Sequence, residues 1–382
     1  MLPLLLSWLH ATNDLFGAFL TPLLPKLQAA FGVGYGTVSL LVATYSLSGS
    51  LLQPVAGLIA DRYDRRWLAA LGPVLVALGG GLMGFFPTPL ALGLMLAFSG
   101  LGSALFHSAA AALVGQYALP ERRGFWLSFF STGGYVGMAL APALSLSVVN
   151  AGGLRALAWL VPLAFVPAVL LLWRAPAVRL QTKPSTFSDL ARVFKGQVAR
   201  LWAVSTLRSV VFMSFSTTIP FWFAQRGLSD EWVKVTLTAY SVSATAGAFL
   251  GGTLSDRLGR RTVLVGTMIC AIPLYVALLL LPPEHWLFVG VLSLTGALMN
   301  AGVPTAVAMA QEHEPKQMAT VSGLLMGFTW GFAGLLYGVV GPIIERFGVI
   351  ESLSVMGLLL IPALTLSLAV REARPRVALK GD

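Results

Sequence analysis

A chain of 382 residues that is 57% hydrophobic and only 10% charged, with a mean hydropathy of +0.81, cannot be a soluble globular domain, where about 25% of residues are charged. Its formal net charge of +10 does not indicate nucleic acid, because the Lys and Arg residues sit between apolar segments and no basic face carries aromatic stacking platforms. The single cysteine, Cys270, excludes an intrachain disulfide and a cysteine metal cluster.

Runs of about 20 apolar residues recur, each long enough to cross a hydrocarbon core of about 30 Å as a helix. The short alternating segments of a β-barrel are missing. Twelve spans are predicted, at 4–24, 37–60, 67–86, 89–115, 124–148, 155–174, 200–223, 232–254, 262–281, 286–310, 317–343 and 350–370. The first has no basic region ahead of it and no small-residue cleavage site before Asn13 and Asp14, so it is expected to be a retained helix and not a signal peptide.

Asp14 is the only acidic residue deep in any apolar segment. A carboxylate near a bilayer centre costs about 2.5–3.5 kcal/mol on insertion scales, so such a residue is paired, protonated or facing water, and is a default functional candidate. His10 lies one helical turn earlier and shares its face.

The longest polar interruption, Arg174 to Gln197, reads as a linker. It divides the chain into an N-terminal six-helix bundle (1–174), a cytoplasmic linker (175–197) and a C-terminal six-helix bundle with a short tail (198–382). An internal repeat supports the division. An offset of 195 residues places Tyr45 on Tyr240, Ser46 on Ser241, Gly57 on Gly252, Asp61 on Asp256, and Arg62, Arg65 and Arg66 on Arg257, Arg260 and Arg261. Most basic residues fall on the linker side, with only Lys26, Arg155, Arg226, Lys234 and Arg346 opposite, so the linker and both termini are expected in the cytoplasm.

The doubled segment reads Gly57-Leu-Ile-Ala-Asp61-Arg62-Tyr-Asp-Arg65-Arg66 and Gly252-Thr-Leu-Ser-Asp256-Arg257-Leu-Gly-Arg260-Arg261. Physically, the glycine permits close helix approach, the aspartate satisfies backbone donors or an arginine, and the arginines stay among headgroups. The segment resembles the signature loop of the major facilitator superfamily, where it helps govern conformational exchange. That resemblance implies an all-α membrane protein of twelve transmembrane helices in two pseudo-symmetric six-helix bundles. Leu-Leu-Gln53-Pro54, Phe106-His107, Gly133-Gly134-Tyr-Val-Gly137 with Ala141-Pro142, His10 with Asn13-Asp14, and Leu207-Arg208-Ser209 further resemble the fosmidomycin-resistance branch. One departure is that the branch commonly carries Pro-Glu after the fourth-span histidine, where this chain has Ser108-Ala109. The glycines Gly133, Gly134 and Gly137 with Pro142 also resemble the antiporter-type motif of drug exporters, whose physical basis is small-residue packing and a proline hinge in lipid.

Four ionisable residues lie inside spans: His10, Asp14, His107 and Arg208. The family resemblance implies that the first, fourth, seventh and tenth helices line a central cavity, so these residues are expected in one layer. Asp14 is then either a proton switch that approaches and leaves Arg208, half of a permanent ion pair with it, or hydrogen-bonded within its own half. His107 is a second titrating group or a cavity hydrogen-bond partner. Asn13, Arg208, Asn300, Tyr45, Tyr240, Trp222 and Trp330 are candidate cargo-lining residues, since drug-like ligands need aromatic surface and a few polar groups.

No Walker loop, HExxH, GxSxG or carboxylate-rich metal cluster is visible in the sequence. The expectation is therefore a carrier and not an enzyme, with no cofactor or metal, driven by a proton gradient in a bacterial inner membrane and functional as a monomer. Its expected partners are a small-molecule substrate, protons and the bilayer. The first reading is a proton-coupled antiporter exporting drug-like or small organic compounds; the second is a proton symporter importing a small organic anion.

Overall fold

The computed structural model describes residues 2–60, 63–117, 123–176, 192–314 and 318–372. Among these, every regular element is helical. The predicted linker falls largely on 177–191, outside the described residues.

Among the described residues, eight helices are long and apolar enough to cross a membrane, and they match the fourth to seventh and ninth to twelfth predicted spans. The other four depart for identifiable reasons. The first is two helices, Leu2–Gly17 and Leu20–Phe31, and runs seven residues beyond its predicted end. It stops at Gly32, whose φ of 62° allows its own N–H and that of Val33 to cap the carbonyls of Ala29 and Gln28. The second, Tyr35–Ser46 continuing to Gln53–Ala60, is broken by a π-helical turn at Leu47–Leu51, where Ser48-Gly49-Ser50 gives the backbone local freedom. The third, Arg65–Gly81, has only 17 residues. The eighth, Asp230–Leu258, is diluted by hydroxyl side chains such as Thr236, Thr238, Ser241, Ser243 and Thr245.

Packing follows the small residues. Gly133 and Gly137 of the fifth span, helix Arg123–Gly152, let it close on the backbone of Ser7 and Ala11 in the first. Gly247 and Gly251 of the eighth do the same against Ala297 and Ala301 of the tenth, helix Trp286–His313. In lipid, where burying apolar surface gives no drive for helix association, this close van der Waals approach is a main source of cohesion.

Spans one and seven, two and eleven, and five and eight join the two halves. A second π-turn, Leu324–Phe328 in the eleventh span, faces the one in the second.

At the end away from the linker this seam is closed by polar contacts. The Tyr35 and Tyr337 hydroxyls lie 2.9 Å apart, and Tyr35 also donates to Thr218 at 3.3 Å. The Gly36 N–H donates to Glu345 at 2.8 Å, and Lys26 pairs with Asp230 at 2.7 Å. Combining Tyr337→Phe with Glu345→Ala removes two such contacts, each contributing about 1 kcal/mol. Spin labels at Gln28 and Gln225, which line a cavity of about 680 Å³ at this end, are expected to report a larger population of longer distances in that variant. An unchanged distribution would show that the contacts do not hold this end shut.

Candidate functional site

The first helix presents His10 and Asp14 on one face, and the fourth span, Pro89–Tyr117, brings His107 to meet them. His10 Nδ1 donates to the Phe130 carbonyl at 2.7 Å, and His107 Nδ1 donates to the Ser103 carbonyl at 2.8 Å. A carbonyl only accepts, so both of these nitrogens carry a hydrogen, and a neutral ring then presents Nε2 as a lone pair. The two Nε2 atoms are 3.1 Å apart. They also face Asp14, at 3.2 Å from Oδ2 and 3.4 Å from Oδ1 respectively. Two lone pairs and a carboxylate at such distances repel one another. The set becomes hydrogen-bonded when it holds at least one added proton.

The surroundings fix this geometry. Asn13 Nδ2 donates to Asp14 Oδ1 at 2.9 Å and to Ser103 Oγ at 3.1 Å. The Asn13 Oδ1 atom is buried with no hydrogen-bond partner among the described residues. The His10 ring stacks on Phe130 at 4.2 Å and has Phe106 at 5.6 Å. Tyr45 lies beside Gly17 and within electrostatic reach of Asp14. Ligand-type atoms of His10, Asp14 and His107 all fall within 4.8 Å of one another, so one cation could reach all three residues.

Gly134 makes the space. A Cβ at that position would lie 2.5 Å from both Asp14 Oδ2 and His10 Nε2. Gly134→Ala should therefore impose about 1–3 kcal/mol of overpacking on the cluster. The expected result is a folded protein whose transport drops in proteoliposomes; unchanged transport would mean that the cluster tolerates displacement.

Arg208, on the seventh span (Gly196–Gln225), is 4% exposed. Its Nη1 donates to the Met299 carbonyl, and the space it occupies exists because residue 302 is glycine, where a Cβ would sit 2.9 Å from Nη1. It makes no ion pair with any carboxylate among the described residues, Asp14 included. The layer expected to unite Asp14 with Arg208 therefore does not form as a pair in this state. In this state Asp14 is held within its own half, where Asn13 donates to its Oδ1 and the His10 and His107 rings face its oxygens. Tyr135 of the fifth span lies within electrostatic reach of both Asp14 and Arg208.

The other candidate cargo residues separate. Tyr240 stacks on Phe212 at 4.7 Å, and Trp330 meets Phe212 edge-on at 5.8 Å, so spans seven, eight and eleven build one aromatic group. Trp222 is instead buried among Phe215, Phe223 and Phe288, a packing position. Asn300 folds its amide onto the Gly296 carbonyl of its own helix at 3.3 Å.

The loop motif is partly described. Asp61 and Arg62 lie outside the described residues. Arg65 is buried and donates to the Ala60 carbonyl at 3.2 Å. Arg66 grips Asp64 and donates to the Ala175 carbonyl at 2.8 Å. That guanidinium holds the Asp64 carboxyl below its ordinary value. In the second copy Arg260 binds Asp256 at 2.6 Å and Glu312 at 3.0 Å, Arg257 is exposed, and Arg261 donates to the Leu368 carbonyl at 2.7 Å. Among the described residues the close approach expected at Gly57 is not made: a Cβ there would meet nothing within 4 Å, and one at Gly252 only the Pro304 ring at 3.6 Å. The neighbouring Gly251 makes that approach instead. Pro142 sits inside the fifth-span helix.

Residues 6–338 match the Major Facilitator Superfamily. The chain belongs to that superfamily. It is a multi-pass membrane transporter and not an enzyme. It is 28% identical to the fosmidomycin resistance protein of Escherichia coli, covering 89% of this chain and 86% of that protein. It is 27% identical to a probable nitrate/nitrite transporter of Mycobacterium tuberculosis, covering 95% and 93%. Its fold matches a bacterial homologue of the human lysosomal transporter Spinster, solved inward-facing and unoccupied, with a TM-score of 0.79 at 16% identity, covering 97% of this chain and 96% of that one.

Sequence reasoning missed Ser103 and the Phe130 carbonyl, which fix His107 and His10. Ser103 had a signal: it lies four residues before His107, on the same helix face. The Phe130 carbonyl had none, since a backbone acceptor on another helix leaves no mark in side-chain chemistry.

Proposed function

We infer that this transporter carries a small organic anion together with a proton by alternating access of its two halves. One observation carries the cargo class: Arg208 is buried, held by a single backbone carbonyl, and without an ion-pair partner among the described residues. An isolated charge out of water is penalised by several kcal/mol even after relaxation. An anion that completes the pair during the cycle accounts for that arrangement. Tyr45 and Trp330, both half-buried, are then available to the rest of the cargo.

The His10–Asp14–His107 cluster is the proton site in this reading. The charged and titratable groups around it are Asp14 itself, Tyr45, Tyr135 and Arg208. An anion arriving at Arg208 stabilises a positive charge on the cluster, so the two ligands favour each other and travel in the same direction. With the linker end in the cytoplasm of a bacterial inner membrane, as the basic loops suggest, an inward proton gradient drives uptake.

The opposite reading, proton antiport exporting a drug-like compound, is supported by the similarity to a protein named for fosmidomycin resistance and by the fifth-span glycines. Proteoliposomes of known sidedness discriminate the two. Accumulation of a phosphonate or carboxylate when the far side is acidified supports symport, and expulsion under the same gradient supports antiport. Flux indifferent to the gradient would sink proton coupling, and flux of neutral or cationic compounds alone would sink the anion reading.

A further inference from the structure

A second cavity, of about 1100 Å³, lies at the linker end between spans seven, nine and twelve. Arg200, Arg261 and Arg371 reach it from three separate elements. None of these guanidinium groups forms an ion pair among the described residues. Among the described residues, two of these side chains hydrogen-bond only the carbonyls that end the twelfth span, Arg200 to Ala369 at 3.4 Å and Arg261 to Leu368 at 2.7 Å. The one carboxylate in the lining, Glu372, accepts from the backbone N–H of Arg261 at 3.1 Å, capping the start of the ninth-span helix. Among the described residues the lining therefore carries a net positive charge.

The opposite wall is apolar. Val265, Gly266, Ile269 and Leu368 line it. Ile269 and Leu368 are 54% and 47% exposed, and a Cβ at Gly266 would meet nothing within 4 Å among the described residues. The wall continues into the exposed apolar face of spans nine and twelve, including Val276, Leu358 and Ile361. A site basic at its rim and apolar along a helix face fits a phospholipid, whose phosphate and acyl chain have that polarity over the same length. A free inorganic anion would leave the apolar wall unused.

We propose that this groove binds an anionic phospholipid, with the phosphate on Arg200, Arg261 and Arg371 and one acyl chain along Val265, Gly266, Ile269 and Leu368. The site is separate from the cargo residue on the same helix: Arg200 lies about 12 Å along the axis from Arg208.

Native mass spectrometry of the full chain, purified in detergent with dioleoylphosphatidylglycerol or dioleoylphosphatidylcholine, tests this. The wild type is expected to retain phosphatidylglycerol in preference to phosphatidylcholine. Arg200→Gln combined with Arg371→Gln is expected to weaken phosphatidylglycerol binding about thirtyfold. Gly266→Trp, which fills the groove and keeps the arginines, should lower retention as well. Equal retention of the two lipids overturns the proposal, and so does phosphatidylglycerol binding untouched by either variant. A thermal shift produced equally by inorganic phosphate would also overturn it, by identifying a site for soluble anions.

Discussion

Arg208→Met is expected to raise the thermal stability of the cargo-free protein and abolish saturable anion transport at the same time. The two effects share one cause. Arg208 is 4% exposed and its guanidinium donates to the Met299 carbonyl, so the fold bears the desolvation of a charge with no counter-charge among the described residues to offset it. Replacing a buried charge by an apolar side chain of similar length stabilises by about 1–4 kcal/mol where the charge is structurally unnecessary. If Arg208 instead tied the halves together through an unseen partner, removing it would destabilise by about 3–5 kcal/mol. Thermal unfolding in detergent therefore separates a residue kept for cargo from one kept for the fold. Arg208→Lys adds a geometric check. It keeps the charge but loses the planar fork that grips a carboxylate or phosphonate through two hydrogen bonds, so cargo affinity should fall while anion preference remains.

The overall plan was legible because its determinants are long apolar runs and a repeated polar loop, both of which survive without tertiary information. What escaped was set by packing. Asp14 stands out in the sequence as a costly intramembrane charge, and an ion pair with Arg208 between the halves is one of the alternatives the sequence leaves open. Helical periodicity says which residues share a face but not which of several partners wins that face. Here His107, 97 positions from His10 in the chain, arrives through the packing of the fourth span against the first. The glycines of the fifth span were legible as packing residues, yet only their placement shows that Gly134 clears room for Asp14 and His10 while Gly133 and Gly137 admit the first-helix backbone. Gly57 shows the converse: a motif glycine suggested a close contact that its neighbours do not make in this state. Trp222 shows the limit of composition, since an aromatic side chain in a cavity-lining helix can equally face the core, as this one does among Phe215, Phe223 and Phe288.

Asp14→Asn is expected to separate proton coupling from cargo movement. In the wild type, both histidines commit Nδ1 to backbone carbonyls and turn Nε2 toward each other and toward the carboxylate. Every group facing the centre is then an acceptor, and an added proton supplies the missing donor. An amide at position 14 brings its own N–H groups, so one of them can bond an imidazole Nε2 and the cluster is satisfied without a proton. Cargo counterflow, which needs no gradient, should persist. Accumulation driven by a pH gradient should fall by about 5–150-fold, the range of a coupling free energy of about 1–3 kcal/mol. His107→Gln should act in the same direction, and the double variant with Asp14→Asn should lose little more than either single one, because each removes the same shared proton. If the cluster were only a structural tie between the first, fourth and fifth spans, counterflow and gradient-driven uptake would fall together and the two substitutions would add. The tautomer lock at Phe130 and Ser103 is what makes the distinction measurable: it holds both rings in place whether or not the proton is present, so removing the need for that proton leaves the architecture standing.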